Sequence, residues 1–275
     1  MAQIGSIVIS PPLINTACAW ASDLDQLQAL YESPFTGAVT TRTSTLTGYN
    51  ETAVCGVVFT NSTTSSLNSY GFSPLPLSSY LGWVKDILSA AVQSSSVVKP
   101  FIISITASTA DELRPMIALI QAAAFNALLN TSCPNISSAS PSGYIPSSIH
   151  PLLTALAEAH TQDKTLTIGL KLPPYTFRGQ FDAMVNVLKE CRVCRPDCSW
   201  RTCRRCFSTA LSLGNVHTFH KLLHGDSQTD AGLRGICIIG VGGVTTPAAL
   251  AHMRRAGASV VGAATLLGET RCWSF

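Results

Sequence analysis

The sequence predicts an α/β fold, a single (β/α)₈ TIM barrel that spans residues 1–275. Short apolar runs alternate with segments of helical periodicity along most of the chain, and most of these runs are apolar on both faces. That pattern is typical of parallel strands covered by helices. A glycine-rich turn lies near the end of the chain, whereas a doubly wound sheet would carry such a turn after its first strand. The position of this turn therefore favours the barrel.

The alternation assigns the individual elements. Strands are predicted at residues 6–9, 13–17, 37–41, 54–60, 100–105, 127–129, 166–172 and 259–265, and residues 237–243 are predicted to form a strand followed by a glycine turn. Helices are predicted at residues 23–31, 77–97, 110–124, 149–160, 177–190 and 216–223. Ser22 is a candidate N-cap for the first helix, and Thr246 followed by Pro247 opens a further helix in the favoured order of cap and proline.

The composition indicates a large buried core and excludes several classes of partner. Of the 275 residues, 46% are hydrophobic and 12% are charged, and the formal net charge is +3. A charge this small does not favour nucleic acid or membrane surfaces, and no apolar run approaches the roughly 18 residues of a membrane span. The first residues lack a basic and apolar leader, so we expect a cytoplasmic protein whose ten cysteines are reduced.

The run Leu-Leu-Asn-Thr-Ser-Cys-Pro-Asn at residues 128–135 is typical of a buried strand that ends in a polar loop. Pro134 has no N–H, so the strand cannot continue past it. Asn130, Cys133 and Asn135 would then lie together at the rim of a site, where a thiol can act as a base or a nucleophile. A surface turn that happens to contain a cysteine is the alternative.

Two charged residues at strand ends also indicate a site. Lys171 and Arg42 each follow an apolar strand, and a charge in that position is costly unless it has a partner or a task. The alternative is a long side chain that extends its charged end into solvent. No arrangement of Ser, His and Asp indicates a hydrolase.

Glycines near the end of the chain form a candidate phosphate cradle. Gly240, Gly242 and Gly243 precede a helix, and glycine lets backbone N–H groups approach an anion at a helix N-terminus. Such turns are common between strands and helices. Ala264 and Thr265, at the end of the next strand, strengthen the interpretation because phosphate sites of barrels use the last two strands.

Together, these residues resemble the dihydroorotate dehydrogenases. The resemblance covers residues 6–189 and 211–268, and its motifs lie at residues 15–18, 37–46, 68–72, 129–135, 169–175 and 239–244. The most specific motifs are L-N-T-S-C-P-N at residues 129–135 and K-L-P-P-Y at residues 171–175. The chain is most similar to the soluble class 1A, which uses fumarate, because class 2 enzymes carry a serine in place of Cys133.

The resemblance implies an FMN-dependent homodimer that oxidises dihydroorotate to orotate in pyrimidine (UMP) biosynthesis, with fumarate as electron acceptor. Cys133 would take the proton from C5 of the substrate, and hydride from C6 would pass to flavin N5. The residues implied to bind the substrate are Arg42, Asn68, Tyr70, Gly71, Phe72, Asn130 and Asn135. The residues implied to bind FMN are Ala17, Arg42, Thr43, Asn130, Lys171, Gly242, Gly243, Ala264 and Thr265.

The chain departs from the family in three places. Arg42 stands where the family usually has lysine, which changes the geometry of the donors. Residues 191–207 form a run rich in Cys and Arg where the family has its sixth strand, and the chain ends soon after the eighth strand. We therefore expect a barrel that is incomplete or distorted around strand six and the C-terminal helix.

The cysteine-rich run leaves alternatives open. Cys191 and Cys194, and likewise Cys203 and Cys206, are spaced like zinc ligands, although the gap between the pairs is short. A basic solvated loop, or a segment from a different reading frame, also accounts for the composition. Two other functions stay open: a catalytically impaired barrel that binds metal through this cluster, and a flavin oxidoreductase that acts on another substrate.

Overall fold

The computed structural model describes residues 1–51, 55–59, 65–133, 142–191, 200–204, 209–225 and 231–269, of which residues 200–204 are described by their backbone. The strands are β1 (Ala2–Ile4), β2 (Ile7–Ile9), β3 (Leu13–Asn15), β4 (Val39–Thr40), β5 (Val57–Phe59), β6 (Ser66–Asn68), β7 (Phe101–Ile105), β8 (Asn126–Asn130), β9 (Ile168–Leu172), β10 (Trp200–Arg204), β11 (Cys237–Val241) and β12 (Val260–Ala263). The helices are α1 (Leu24–Glu32), α2 (Leu77–Gln93), α3 (Ala110–Ala122), α4 (Pro146–Gln162), α5 (Arg178–Glu190), α6 (Thr209–His224), α7 (Ala231–Arg234), α8 (Pro247–Arg255) and α9 (Thr265–Glu269).

The helices form where the sequence offers both a cap and an apolar stripe. The Thr109 side chain accepts a hydrogen bond from the Glu112 N–H and so caps α3. The buried residues of α3 recur at helical spacing, and they are Leu113, Met116, Ile117 and Ile120. In the same way Thr246 caps α8 and Pro247 occupies its first turn, which confirms the predicted start of that helix. The predicted cap of α1 is wrong by one residue, because Asp23, not Ser22, accepts the Gln26 N–H, at 2.8 Å.

Eight strands form one parallel sheet in the order β3-β12-β11-β10-β9-β8-β7-β4. Helices connect the successive strands of this sheet, as parallel pairing requires. The predicted parallel sheet covered by helices is therefore confirmed. Two antiparallel hairpins, β1–β2 and β5–β6, stand apart from the sheet. Among the helices of the described ranges, none has the length and apolar character needed to cross a membrane.

The two end strands of the sheet, β3 and β4, lie beside each other. Ile14 and Ala38 form an isolated parallel bridge, and the Gly37 N–H donates to the Leu13 carbonyl at 2.8 Å. Beyond this bridge, the fully buried Asn15 side chain, and not the backbone, forms the hydrogen bonds that join β3 to β4. Its Nδ2 donates to the Thr40 carbonyl at 2.6 Å, and its Oδ1 accepts the Thr40 N–H at 2.7 Å. One carboxamide thus satisfies both backbone groups of a buried strand residue.

The sheet separates two apolar clusters. The larger cluster lies between the sheet and the helices. The smaller cluster lies on the other face and includes Ile14, Ile102, Leu128, Ile239 and Val260, together with Ile4 and Ile9 of the β1–β2 hairpin. Strands that are far apart in the sheet order contribute to one cluster, so the sheet is strongly curved around it. Ser6 donates to the Thr165 carbonyl just before β9, which places the hairpin at the amino-terminal ends of the strands.

The sixth strand position is filled. β10 pairs in parallel with β9 from Trp200 with Ile168 to Arg204 with Leu172, and it also pairs with β11. The expectation that the sheet is incomplete at strand six is therefore wrong, whereas the alternative expectation of a distortion there stays a prediction. The physical reason is that ladder hydrogen bonds join backbone groups, which a Cys/Arg-rich run also possesses. The short helix α9 follows β12. The prediction of a truncated C-terminal helix also concerns residues 270–275, which lie outside the described ranges.

The Asn15 contact predicts a specific effect on stability. Asn15→Ala leaves the N–H and the carbonyl of Thr40 buried without partners, which costs about 1–3 kcal/mol for each group. We expect the free energy of unfolding in a urea titration to fall by about 2–6 kcal/mol. Asn126→Ala, which removes one long hydrogen bond to Phe101 at 3.5 Å, is the matched control and should cost less than about 1.5 kcal/mol. Equal losses in the two variants would contradict this role of Asn15.

Candidate active site

Polar residues follow the carboxyl ends of neighbouring strands, and these ends lie at one edge of the parallel sheet. Arg42 and Thr43 follow β4, Asn130 ends β8, and Lys171 lies near the end of β9. In parallel α/β folds this edge carries ligand sites. The structure has a pocket of about 340 Å³ there, counting the part that is open to solvent.

The pocket gathers most of the predicted site residues. It is lined by Ala17, Cys18, Ala19, Arg42, Thr43, Asn68, Tyr70, Gly71, Phe72, Asn130, Cys133 and Lys171. The predicted residues that do not line it are Gly242, Gly243, Ala264 and Thr265. Asn135 lies outside the described residues. Cys18 and Ala19 were not predicted as site residues, although Cys18 belongs to the motif at residues 15–18. Both follow Ala17 directly, so inspection of the residues after each strand could have found them.

A buried hydrogen-bond network fixes the Asn130 side chain. Its Nδ2 donates to the Thr43 hydroxyl at 2.8 Å, and that hydroxyl lies 2.8 Å from the Ser104 hydroxyl. Its Oδ1 accepts from the backbone N–H and the hydroxyl of Ser132, at 3.1 and 3.0 Å. The carboxamide cannot flip without losing these bonds. One N–H of Asn130 is therefore oriented by protein atoms, and the amide has a second N–H to offer a ligand.

Lys171 is a buried lysine that lines the pocket. Its exposed fraction is 2%, which excludes the solvated lysine that was the alternative interpretation. The Thr131 hydroxyl donates to the Lys171 carbonyl at 2.8 Å and so ties the end of β8 to β9. Lys171 lines both this pocket and a cavity on the inner face of the sheet. A charge held in this position is typical of a functional site.

Arg42 is also buried, and it contacts the loop that covers the pocket. Its Nη2 donates to the Glu51 carboxylate at 2.5 Å and to the Phe72 carbonyl at 3.0 Å. The Tyr70 ring lies 5.3 Å from the guanidinium carbon, within the range of a cation–π contact. Among the described residues, the buried Nε of Arg42 has no hydrogen-bond partner. Glu51 was not predicted, because no periodicity marks it in its Ser/Thr-rich segment.

The glycine turn and the last strand end lie next to each other, since β11 and β12 are neighbours. Gly242 and Gly243 have φ values of +117° and +68°, a conformation that favours glycine. The Thr265 hydroxyl lies 2.8 Å from the Ser66 hydroxyl of β6. The Trp20 indole N–H donates to the Ala264 carbonyl at 2.9 Å. The cradle is thus beside the β5–β6 hairpin, on the same edge of the sheet as the pocket.

Cys191, one member of the predicted zinc pairs, faces the protein core. Its thiol lies 3.6 Å from the His150 carbonyl and 3.8 Å from the Thr154 hydroxyl, both on α4. Burial raises the pKa of this thiol, against the opposing effect of the Thr154 contact. Cys194 and Cys206 lie outside the described residues. Within the described ranges, no group of three His, Cys, Asp or Glu side chains is arranged to hold a metal ion.

Comparison with known proteins decides the family. The family model of dihydroorotate dehydrogenase matches residues 9–205, well over half of the chain. The chain belongs to the dihydroorotate dehydrogenase family. The match continues through the Cys/Arg-rich run into β10, which agrees with the filled sixth strand position.

Solved structures support the fold of this dihydroorotate dehydrogenase family member. The crystal structure of DHODH from Eimeria tenella, in complex with ferulenol, is similar with a TM-score of 0.74 at 13% sequence identity. The similarity covers 97% of this chain and 79% of that chain. At this identity the likeness concerns the fold alone. No curated protein matches the chain.

The environments of two cysteines predict different reactivity. Cys133 is a partly exposed thiol in the pocket, whereas Cys191 is buried. Because the pKa of Cys191 is raised, little of its reactive thiolate forms near neutral pH, and more forms only as the pH rises. We expect iodoacetamide at pH 7.5 to alkylate Cys133 at least about tenfold faster than Cys191, as measured by peptide mass spectrometry.

Unfolded protein in guanidinium chloride is the control for this measurement, since both thiols should then react at similar rates. Native Cys191 that reacts as quickly as Cys133 would place it on the surface and contradict its packing against α4.

Proposed function

We propose that this chain catalyses the FMN-dependent oxidation of (S)-dihydroorotate to orotate, in the biosynthesis of UMP. The observation that carries the proposal is the pocket in which Cys133, Asn130, Asn68 and Lys171 meet at the carboxyl edge of the sheet. Membership of the dihydroorotate dehydrogenase family supports the same reaction. We propose further that the curved sheet is a closed (β/α)₈ barrel, because β3 and β4 join its two ends.

The residues of the site fit FMN. The left-handed backbone at Gly242 and Gly243, beside Thr265, suits a phosphate, because a nest of N–H groups attracts an anion. The unpartnered Nε of the buried Arg42 is a donor that still lacks an acceptor among the described residues. Ala17, Thr43 and Asn130 line the pocket next to it. Lys171 would place a positive charge against the ring system, where it favours added electron density.

The proposed chemistry needs a base and an electron acceptor on two neighbouring carbons. Cys133, as thiolate, takes the proton from C5, and the pair of electrons left at C5 forms the C5=C6 double bond. FMN, when bound, would supply the acceptor for the hydride that leaves C6. Asn130 holds the substrate ring with its oriented amide, and Asn68 and Asn135 supply further hydrogen bonds to the ring and carboxylate. The backbone of residues 70–72 excludes water from the pocket.

The finer assignments follow from the resemblance to class 1A enzymes. A thiol in the position of the base, rather than a serine, supports class 1A. We therefore propose fumarate as the electron acceptor, a homodimer as the assembly and the cytoplasm as the location. The residue roles proposed for Arg42, Tyr70, Gly71, Phe72 and Ala264 rest on the same resemblance.

A flavin oxidoreductase that acts on another substrate is the second candidate. Arg42 favours it, because its guanidinium is bound to Glu51 and to the loop, where the family usually has a lysine. A related enzyme of this kind would bind FMN but would not be reduced by dihydroorotate.

A catalytically impaired relative would bind no FMN or would bind it without turnover.

The test is anaerobic spectroscopy of the purified protein with FMN. We expect the flavin absorbance to bleach when dihydroorotate is added and to return when fumarate is added. FMN that binds but is bleached only by a different reductant would favour the second candidate. A protein that binds no FMN would refute the proposal.

The base can be tested separately by substitution. Cys133→Ala should slow flavin reduction by dihydroorotate by a factor of about 10²–10⁴, the usual contribution of a general base. FMN affinity, measured by flavin fluorescence, should not change. Cys133→Ser should recover part of the rate at high pH, because a hydroxyl is a weaker acid than a thiol. Unimpaired reduction in Cys133→Ala would show that another group takes the proton.

A further inference from the structure

We propose that Glu51 is a positioning residue, which acts through Arg42 to hold residues 70–72 over the pocket. The proposal rests on the proposed function for its kinetic test, but its structural test is independent. Glu51 does not line the pocket, so it has no direct contact with a ligand there. Its influence on the site would pass through one ion pair.

The ion pair is well buried for two charged groups. The side chains of Arg42 and Glu51 are 8% and 23% exposed, and their closest atoms are 2.5 Å apart. A buried guanidinium is costly unless an anion compensates it. Glu51 supplies that anion and allows Arg42 to lie below the loop rather than in solvent. The two charges of this pair largely cancel each other.

The same guanidinium binds the loop. Its Nη2 donates to the Phe72 carbonyl at 3.0 Å and to the Gly71 carbonyl at 3.3 Å. The Tyr70 ring covers the guanidinium from one side. Arg42 therefore contacts each of the three residues of this loop.

The C-terminal end of the loop is anchored by other contacts. The Ser73 N–H donates to the Thr43 carbonyl at 2.7 Å, and the Tyr49 N–H donates to the Ser73 carbonyl at 2.8 Å. The Tyr49 and Phe72 rings meet edge to face, with centroids 5.7 Å apart. These bonds do not involve Glu51. Loss of Glu51 should therefore loosen residues 70–72 locally and leave the segment after them in place.

The structural test is limited proteolysis of Glu51→Gln with chymotrypsin, which cleaves after Tyr and Phe. We expect cleavage after Tyr70, identified by mass spectrometry, to be about tenfold faster than in the wild type, because the loop opens more often. Cleavage after Phe72 should change less, since the next residue, Ser73, stays bonded to Thr43. Glu158→Gln is the matched control. It removes an ion pair of the same length, 2.5 Å, between the half-exposed Arg114 and Glu158, and it should not change cleavage at either site.

The kinetic test uses the enzyme with FMN. Glu51→Gln should raise KM for dihydroorotate about tenfold and change kcat and FMN affinity by less than about twofold, since a positioning residue affects binding more than the chemical step. Glu51→Asp, which keeps the charge, should recover part of the loss. A fall in kcat with unchanged KM would overturn the positioning role, as would unchanged proteolysis.

The proposed role of Glu51 and the proposed oxidation of dihydroorotate can fail separately. A wild-type protein that does not oxidise dihydroorotate refutes the proposed function, while proteolysis still decides the role of Glu51. If Glu51→Gln does not fold, Arg42→Lys takes its place, because lysine keeps the charge but loses the fork that reaches the carbonyls. Faster cleavage after Tyr70 in Arg42→Lys supports the proposal, and unchanged cleavage there overturns it.

Discussion

The architecture depends on a requirement for backbone hydrogen bonds at the place where the ends of the sheet meet. β4 is only two residues long, so it cannot form a full ladder with β3. The Asn15 carboxamide satisfies the N–H and the carbonyl of Thr40 instead. This contact, with the bridge between Ile14 and Ala38, brings the loops that follow β3 and β4 against the ends of β8 and β9. Ala17, which follows β3, and Asn130, at the end of β8, line the same pocket.

The pocket is preorganised by polar groups that are buried and mutually satisfied. Asn130 of β8, Ser104 of β7 and Thr43, which follows β4, form one chain of hydrogen bonds. Such a network has few alternative arrangements in a low-dielectric interior. It fixes the orientation of the Asn130 amide, so little would have to reorganise when the proposed substrate binds. The buried charges of Lys171 and Arg42 are placed by the same strand ends, which links the fold directly to the electrostatics of the site.

Sequence reasoning identified those features that depend on local pattern. Apolar periodicity located most of the strands and helices. The rule that polar residues gather at strand ends, together with the family resemblance, pointed to Cys133, Asn130 and Lys171. Features that depend on partners far apart in sequence could not be read locally. Glu51 meets Arg42 only because the chain folds back, and β10 forms because backbone groups pair whatever their side chains are.

The most direct test of the account is a crystal structure of the protein soaked with FMN and orotate. The account predicts that orotate lies in the pocket, with its ring hydrogen-bonded to the Asn130 amide and C5 facing the Cys133 sulfur, and that the FMN phosphate lies at Gly242 and Gly243. Orotate bound elsewhere, or a Cys133 sulfur that faces away from C5, would contradict it.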